Sequence, residues 1–312
     1  MLNLPTLKQL EYFVQLGRTL KFTDAAQNCF VNQSTLSVGI SELEQLLGIK
    51  LFERTSKNVM LTDIGQALLP KAQHILQSSR DLIDFVNAQK QPMHGRLVLG
   101  IIPTIAPFIL AKLIQITRTQ YPHIDLVVRE LTSQRLVEQL NEGVLDFGLL
   151  ALPFNIKGLA YDELFEDELY LTYSKKRQFP AQVPMSDIKT DDLILLQDSH
   201  CLRDHVLTAC DLNPKHSAHI ETSSLPTLIE LICADVGFSL LPHIAMGSSL
   251  IKDNELSFQS LHLDPPAHRT LALVYRSTQT KEPERLFLRS CLIDEFKQIQ
   301  AQSAHKERDH VR

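Results

Sequence analysis

Two cysteines nine positions apart, with histidines, an arginine and an aspartate around them, are the residues of this chain best equipped for chemistry. They lie in H-C-L-R-D-H-V-L-T-A-C, from His200 to Cys210. Leu202, Val206 and Ala209 recur at helical spacing, so the stretch reads as a short amphipathic helix with Cys201 in its first turn and Cys210 near its end. A thiol at a helix N-terminus, beside His200 and near Arg203, is expected to have a lowered pKa. Such a thiolate attacks peroxide to give a sulfenic acid, which a second thiol, here Cys210, can resolve to a disulfide. The geometry opposes that outcome. At ~1.5 Å per residue the two thiols stand roughly 13–14 Å apart along the axis, whereas a disulfide needs Cα atoms within about 7 Å. Either the thiols never meet, or they meet only when the helix comes apart. The plainer alternative is that both are buried small apolar residues, the usual fate of cysteine.

The chain that must position these groups has 312 residues, enough for two domains or three lobes, and an ordinary soluble composition of 44% hydrophobic and 21% charged residues. Its net charge of −5 does not suggest nucleic-acid binding, and residues 1–90 hold nine Lys/Arg against eight Asp/Glu, so any contact with DNA must come from locally placed groups. No secretory signal opens the chain, and its most apolar stretch, Leu97–Ile116, is broken by Pro103, Pro107 and Lys112. The expected location is cytoplasmic, with no membrane partner, and in a reducing compartment the cysteines are expected as thiols. Five cysteines without a C-x-x-C pair argue against a disulfide framework or a zinc ribbon, and no cofactor or metal is expected.

Leu7, Leu10, Phe13, Val14 and Leu16 line one side of a first helix over 7–20. A second follows Phe22, with Thr23 as its cap and Ala25-Ala26 allowing close packing. A third opens at Gln33 and runs to Leu47, with Leu36, Ile40, Leu43 and Leu47 inward and Gly48 as a stop. Two helices joined by a short turn, the second opening on short polar side chains, form a helix-turn-helix pattern. Two short extended pieces between Lys50 and Thr62, around a basic polar turn, read as a wing. From Thr62 toward Asn87, Ile64, Leu68, Ala72, Ile75, Ser79, Leu82 and Val86 make a heptad-like seam suited to pairing with a second helix. Gln89–His94 is a polar linker.

Beyond it strands and helices alternate. Strands are expected at 96–102, 124–130, 145–151, 168–174, 193–197, 217–222, 238–241 and 270–276, and helices at 105–120, 133–141, 201–210, 225–235 and 283–299. That order implies α/β lobes with mainly parallel sheets and a frayed tail over 302–312. Three segments fall at strand ends and helix starts, where ligands of such sheets sit: Gly100-Ile101-Ile102-Pro103-Thr104, Thr132-Ser133 and His200-Cys201. Small hydroxyl residues at helix N-termini suit a small polar or anionic ligand.

The motifs F-T-D-A-A, Q-S-T-L-S, I-S-E-L-E-x-L-L-G-I-K-L-F-E-R and L-T-D-I-G, in order over residues 5–66, resemble the winged helix-turn-helix of LysR-type transcriptional regulators. The resemblance implies that the helix from Gln33 enters the major groove of double-stranded promoter DNA, with Gln33, Ser34, Thr35 and Ser37 facing DNA and Arg54 reaching the backbone or minor groove. Many members carry a cation or Gln just after the matched serine; this chain has Val38-Gly39. The resemblance further implies a winged helix-turn-helix domain over 1–62, a linker and dimerisation helix over 63–90 and a two-lobed, periplasmic-binding-protein-like α/β effector domain over 91–302. Lobe I would take about 91–165 and 270–302 and lobe II about 166–269, the chain crossing near 165–169 and 265–270.

L-Q-D-S-H-C-L-R-D-H with a second Cys nine residues after the first is similar to the hydrogen-peroxide-sensing OxyR branch of that family. The likeness extends to G-I-I-P-T at 100–104, T-S-S-L-x-T-L and G-F-S-L-L-P within 222–242, and H-R-T-L-A-L-V-Y-R at 268–276. It departs where Ser199 replaces the branch's usual Gly and Ser133 its usual Thr. By that likeness Cys201 is the peroxidatic thiol and Cys210 the resolving one, Thr104 and Ser133 hold the peroxide, His200 and Arg269 favour the thiolate and the departing hydroxide, and Asp204 orders the reactive loop. Cys29, Cys233 and Cys291 read as packing residues. The expected protein is a non-enzymatic activator of oxidative-stress genes, a homodimer assembling to a homotetramer that works with RNA polymerase. Two other readings stand beside it. One is a regulator of the same family that responds to a small carboxylate, with the cysteines incidental. The other is a thiol peroxidase, against which the winged helix-turn-helix counts.

Overall fold

A computed structural model describes residues 4–54, 59–90, 92–177, 179, 190–198, 200–213, 219–246, 248, 251, 256–261 and 266–310. The chain divides into two compact units, Met1–Lys90 and Gln91–Arg312.

In the first unit, α1 (Leu7–Thr19) begins with a reciprocal capping box, Thr6 with Gln9, which satisfies two of the free N–H groups that every helix start leaves. The second helix, α2 (Phe22–Asn28), takes Lys21 rather than Thr23 as its N-cap, and Thr23 lies one residue inside it. The third, α3 (Gln33–Leu47), starts on Asn32, whose side chain accepts from the Thr35 N–H, and stops at Gly48, whose φ of 69° is the left-handed conformation that glycine takes without strain. Leu10, Phe13, Leu16, Ala25, Ala26, Leu36, Ile40 and Leu43 form one core. Leu7 and Leu47, expected to face inward, are exposed because each lies at a helix end beyond the reach of that core.

A wing of two antiparallel strands, β1 (Phe52–Arg54) and β2 (Val59–Leu61), follows. The basic turn expected at its tip, residues 55–58, lies outside the described residues. The wing is tied down by a buried carboxylate. Glu44 Oε1 accepts from the Leu51 and Phe52 N–H groups at 3.0 and 3.3 Å, and Oε2 pairs with Lys50 at 2.7 Å. Burial works against that charge, but the lysine and the two amides outweigh it and hold the Glu44 pKa below the usual carboxylate value of 4.5. A depressed carboxylate stabilises the fold above its unfolded pKa and loses that contribution as the pH falls through its folded one. Glu44→Gln is therefore expected to lower stability by about 1–3 kcal/mol at pH 7. The gap in Tm between variant and wild type should narrow on acidification to pH ~3; a gap that stayed constant would refute the charged tether.

The long helix α4 (Asp63–Lys90) closes this unit. Its sequence seam divides in two. Leu68 and Ala72 pack with Leu69 and Leu76 onto the helix-turn-helix core, whereas Ile75, Leu82 and Val86 are exposed. Ile64 at the helix start is exposed as well, so the open apolar run is the C-terminal part of the stripe and the buried part is its middle.

In the second unit the elements run β3 (Gly95–Ile101), α5 (Ala106–Gln120), β4 (Ile124–Glu130), α6 (Ser133–Asn141), β5 (Phe147–Leu152), β6 (Leu159–Ser174), β7 (Ile194–Leu196), α7 (Cys201–Ala209), β8 (Ile220–Thr222), α8 (Leu225–Cys233), β9 (Phe238–Pro242), α9 (His243–Met246), β10 (Leu256–Ser260), β11 (His268–Arg276) and α10 (Glu282–His310). The last helix continues to His310, through the segment expected to be frayed. The sheet is mixed rather than mainly parallel. β3 pairs parallel with β4 and β5, and β7 with β8, but β11 pairs antiparallel with β5 and β6, and β6 antiparallel with β9 and β10. The reason is β6. It begins nine residues before its expected start at 168 and serves two cores in turn. Its first half borders a core of Leu97, Leu99, Ile101, Phe147, Leu149, Leu271 and Leu273; its second half supplies Leu169 and Leu171 to a core with Leu195, Val206, Ile229 and Leu240. It is antiparallel to its neighbours throughout, to β11 along its first half and to β9 and β10 along its second.

Candidate functional site

Helix α7 is held by both cores of the second unit, and its two cysteines are divided between them. Cys201 belongs to the core of β3, β5 and β11; Leu202, Val206, Leu207 and Cys210 belong to the other. Cys201 is the first helical residue, with His200 as N-cap, and Cys210 is the C-cap, so the whole helix separates two free, buried thiols.

Around Cys201 the three segments expected from the sequence converge. Ser133, the first residue of α6, is buried; its Oγ has no hydrogen-bond partner of good geometry, yet its hydroxyl favours the Cys201 thiolate, as does the Ala151 N–H. Thr104, in the turn after β3, and Arg269, near the start of β11, are buried and joined. Arg269 Nη1 donates to Thr104 Oγ1 at 2.9 Å and Nη2 to the Thr104 carbonyl at 3.2 Å. The guanidinium is completed by Asp167, the residue directly across from it in the β6–β11 register, whose Oδ2 lies 2.9 Å from both Nε and Nη2. Asp167 Oδ1 accepts from the Ile244 N–H at 3.0 Å. This ion pair is fully buried, with both side chains at 0% exposure.

The expected fall in the Cys201 pKa does not occur. With Cys201 1% exposed, burial pushes the thiol up, Asp204 adds to the rise, and the opposing pull of Arg269, Ser133 and the Ala151 amide does not overcome it. The two cations assigned to the thiol from its sequence neighbours are absent from it. Burial lowers the His200 pKa against the help of a hydrogen bond to the Ser223 carbonyl, so its ring is neutral at pH 7. Arg203 is paired with Asp198 and Glu221 at 2.7 and 2.9 Å. Asp204 stands on the exposed side of α7 and disfavours the thiolate. Cys210, in purely apolar surroundings, is pushed up to about 12. Cys29, Cys233 and Cys291 are partly buried against the three cores, as packing residues are.

Two site residues escaped the sequence reading. Asp167 was hidden in E-D-E-L, which looks like a solvated run. His205 lies one turn after Cys201, buried, with Nε2 3.0 Å from the Pro153 carbonyl and Nδ1 without a partner. Burial, with the Arg269 charge adding to it, lowers its pKa to about 4. The i, i+4 spacing from Cys201 was the available sign.

The helix expected from the sequence to face DNA is also in place. Gln33, Ser34 and Thr35 are exposed at the start of α3, and Ser37 is half-buried. Ser34 and Thr35 hydroxyls both donate to Oδ1 of Asn32, the N-cap, at 2.7 Å, so they hold the capping side chain in place. Arg54 ends β1; its side chain lies outside the described residues.

Residues 7–66 match the bacterial regulatory helix-turn-helix protein, lysR family, and residues 90–295 the LysR substrate binding domain. The chain belongs to the LysR family of transcriptional regulators. Among its relatives, the transcriptional regulator EstR of Acinetobacter baylyi is 41% identical over 286 residues, covering 91% of this chain and 95% of EstR. The DNA-binding transcriptional dual regulator OxyR of Escherichia coli is 32% identical over 273 residues, covering 86% and 89%. A solved full-length cysteine-to-aspartate variant of OxyR from Pseudomonas aeruginosa is similar with a TM-score of 0.73 at 30% identity, over 94% of this chain and 95% of that one. A cysteine-to-serine variant of Corynebacterium glutamicum OxyR with H2O2 bound gives 0.64 at 29% identity, over 98% and 97%. This LysR regulator thus has a DNA-binding helix-turn-helix and an α/β effector domain, and no helix among its described residues is long and apolar enough to cross a membrane.

Proposed function

We propose that this LysR regulator senses hydrogen peroxide through Cys201 and Cys210 and activates oxidative-stress genes from promoter DNA. The observation that carries the reading is the division of the two thiols between separate cores by one nine-residue helix, with Arg269, Thr104 and Ser133 gathered at Cys201. The Cys201 thiolate attacks one peroxide oxygen. The O–O bond breaks, an S–OH group forms, and the other oxygen leaves as hydroxide, to be protonated to water. Thr104 and Ser133 supply hydroxyls for the bound peroxide, and Arg269 supplies the positive charge opposite the leaving hydroxide. The Cys210 thiolate then attacks the Cys201 sulfur, forms the S–S bond and releases a second hydroxide. The protein is consumed once per signal and is not an enzyme.

In the same proposal Gln33, Ser34, Thr35, Ser37 and Arg54 meet DNA, and the open stripe Ile75, Leu82, Val86 pairs α4 with a second copy. The homodimers assemble to homotetramers in the cytoplasm and contact RNA polymerase. The expected result after one equivalent of peroxide is a non-reducing peptide map in which Cys201 is linked to Cys210, together with altered promoter binding. Free thiols after that treatment would remove the proposal.

A second reading is favoured by the 41% identity to EstR, which exceeds that to the OxyR relatives. In it the buried Arg269, Thr104 and Ser133 serve a small carboxylate and the thiols are incidental. A metabolite that shifts promoter binding while both thiols stay reduced would establish it.

A further inference from the structure

The outward face of α3 runs through Ser34, Val38, Ser41 and Gln45, all exposed. Its hydroxyl protons are already committed: Ser34 donates to Asn32 Oδ1 and Ser41 to the Ser37 carbonyl at 2.9 Å. The apolar member of that face is Val38, which is 56% exposed. Its direction is fixed by its neighbour. A Cβ on Gly39 would lie 2.6 Å from the Tyr12 ring, so Gly39 is pressed against α1, and the rotation of α3 that this contact sets turns Val38 outward. Val38 is β-branched, and in a helix such a side chain keeps essentially one χ1 rotamer, so it has little freedom left to lose on docking.

We propose that Val38 is a specificity-determining residue that reads the C5-methyl group of a thymine in the major groove. The inference rests on α3 docking in that groove. Of the four base edges there, only thymine offers a methyl group, and an apolar side chain without donors or acceptors has no other base-specific partner. Desolvating Val38 against a phosphate or a purine edge would leave those polar atoms unpaired.

The test uses full-length protein and duplexes selected by it from a random pool, with each thymine replaced in turn by uracil, which lacks only the methyl. One thymine in each half-site should show a loss of affinity of about fourfold on replacement, the worth of one buried methyl group. Val38→Ser, which has no apolar methyl, should bind the thymine and uracil duplexes equally, and Val38→Gln should shift the selected base at that position toward adenine. An exposed side chain makes both variants safe for folding. If no thymine shows the effect, or if Val38→Ser keeps it, the inference is overturned while docking of α3 stands. If the wild type selects no duplex at all, docking fails and the inference with it.

Discussion

Replacing Arg269 with methionine is expected to cost about 3–5 kcal/mol of effector-domain stability. The guanidinium is wholly buried and holds three acceptors, Asp167 Oδ2, Thr104 Oγ1 and the Thr104 carbonyl. Methionine fills much of the same volume but leaves the Asp167 carboxylate in the core with the Ile244 N–H still donating to it. Most of the cost is that stranded charge rather than the lost attraction. The double variant Arg269→Met, Asp167→Leu removes both charges and should recover most of the loss, as replacing a buried pair with apolar groups often does. Urea unfolding followed through the effector-domain transition would measure both. A double variant as unstable as the single one would mean that the pair is held for its hydrogen bonds to the turn at Thr104, not as a mutual neutralisation. The same double variant separates stability from chemistry: it folds, yet Cys201 has lost the cation that pulls its pKa down.

How that site was hidden in the sequence has a physical explanation. Periodicity finds an element when its burial alternates in a regular way. It placed α3, β4 and α6 to within a residue or two because each shows one apolar face to one core. The strand β6 borders two cores in succession, and its first half reads A-Y-D-E-L-F-E-D-E with charges on the open side, so the alternation was masked and Asp167 with it. The motifs did identify Thr104, Ser133, Cys201 and Arg269, and the fold brings them together. What chain neighbours could not supply was the electrostatic balance. His200 and Arg203 flank Cys201 in sequence, but one is buried neutral and the other pairs with Asp198 and Glu221. The cation that acts on the thiol comes from β11, and what prevails over it is burial, which is a property of the whole lobe.

Peroxide should strip protection from α7. One equivalent is expected to accelerate amide exchange across Cys201–Cys210 by orders of magnitude in the wild type and to leave Cys201→Ser unchanged. The reason lies in what Cys201 does for the fold before it reacts. A raised thiol pKa means that the packed state prefers the protonated group: this contribution is full below the ordinary thiol value of 9.0 and is lost as the pH rises through the higher folded one. Any charged or bulkier polar form of the sulfur is disfavoured in so buried a site, and a sulfenic acid is one. Helix α7 has nine residues, too few to persist without tertiary contacts, and Cys201 is its attachment to the first core. Once that attachment is polar, the remaining apolar anchors, Leu202, Val206 and Leu207, lie in the core that also holds Cys210. Opening the helix then brings Cys201 toward its partner. Two further results follow from the same balance. The rate of Cys201 oxidation should climb about tenfold per pH unit between pH 6 and 8, because the thiolate is the minor form throughout that range. The Cys210 thiol, pushed up to about 12 while packed, becomes a competent nucleophile only as its surroundings open. An oxidation rate that is flat with pH, or an α7 that remains protected after the disulfide forms, would contradict this coupling. Either result would require the sulfur to react from a conformation in which it is already exposed.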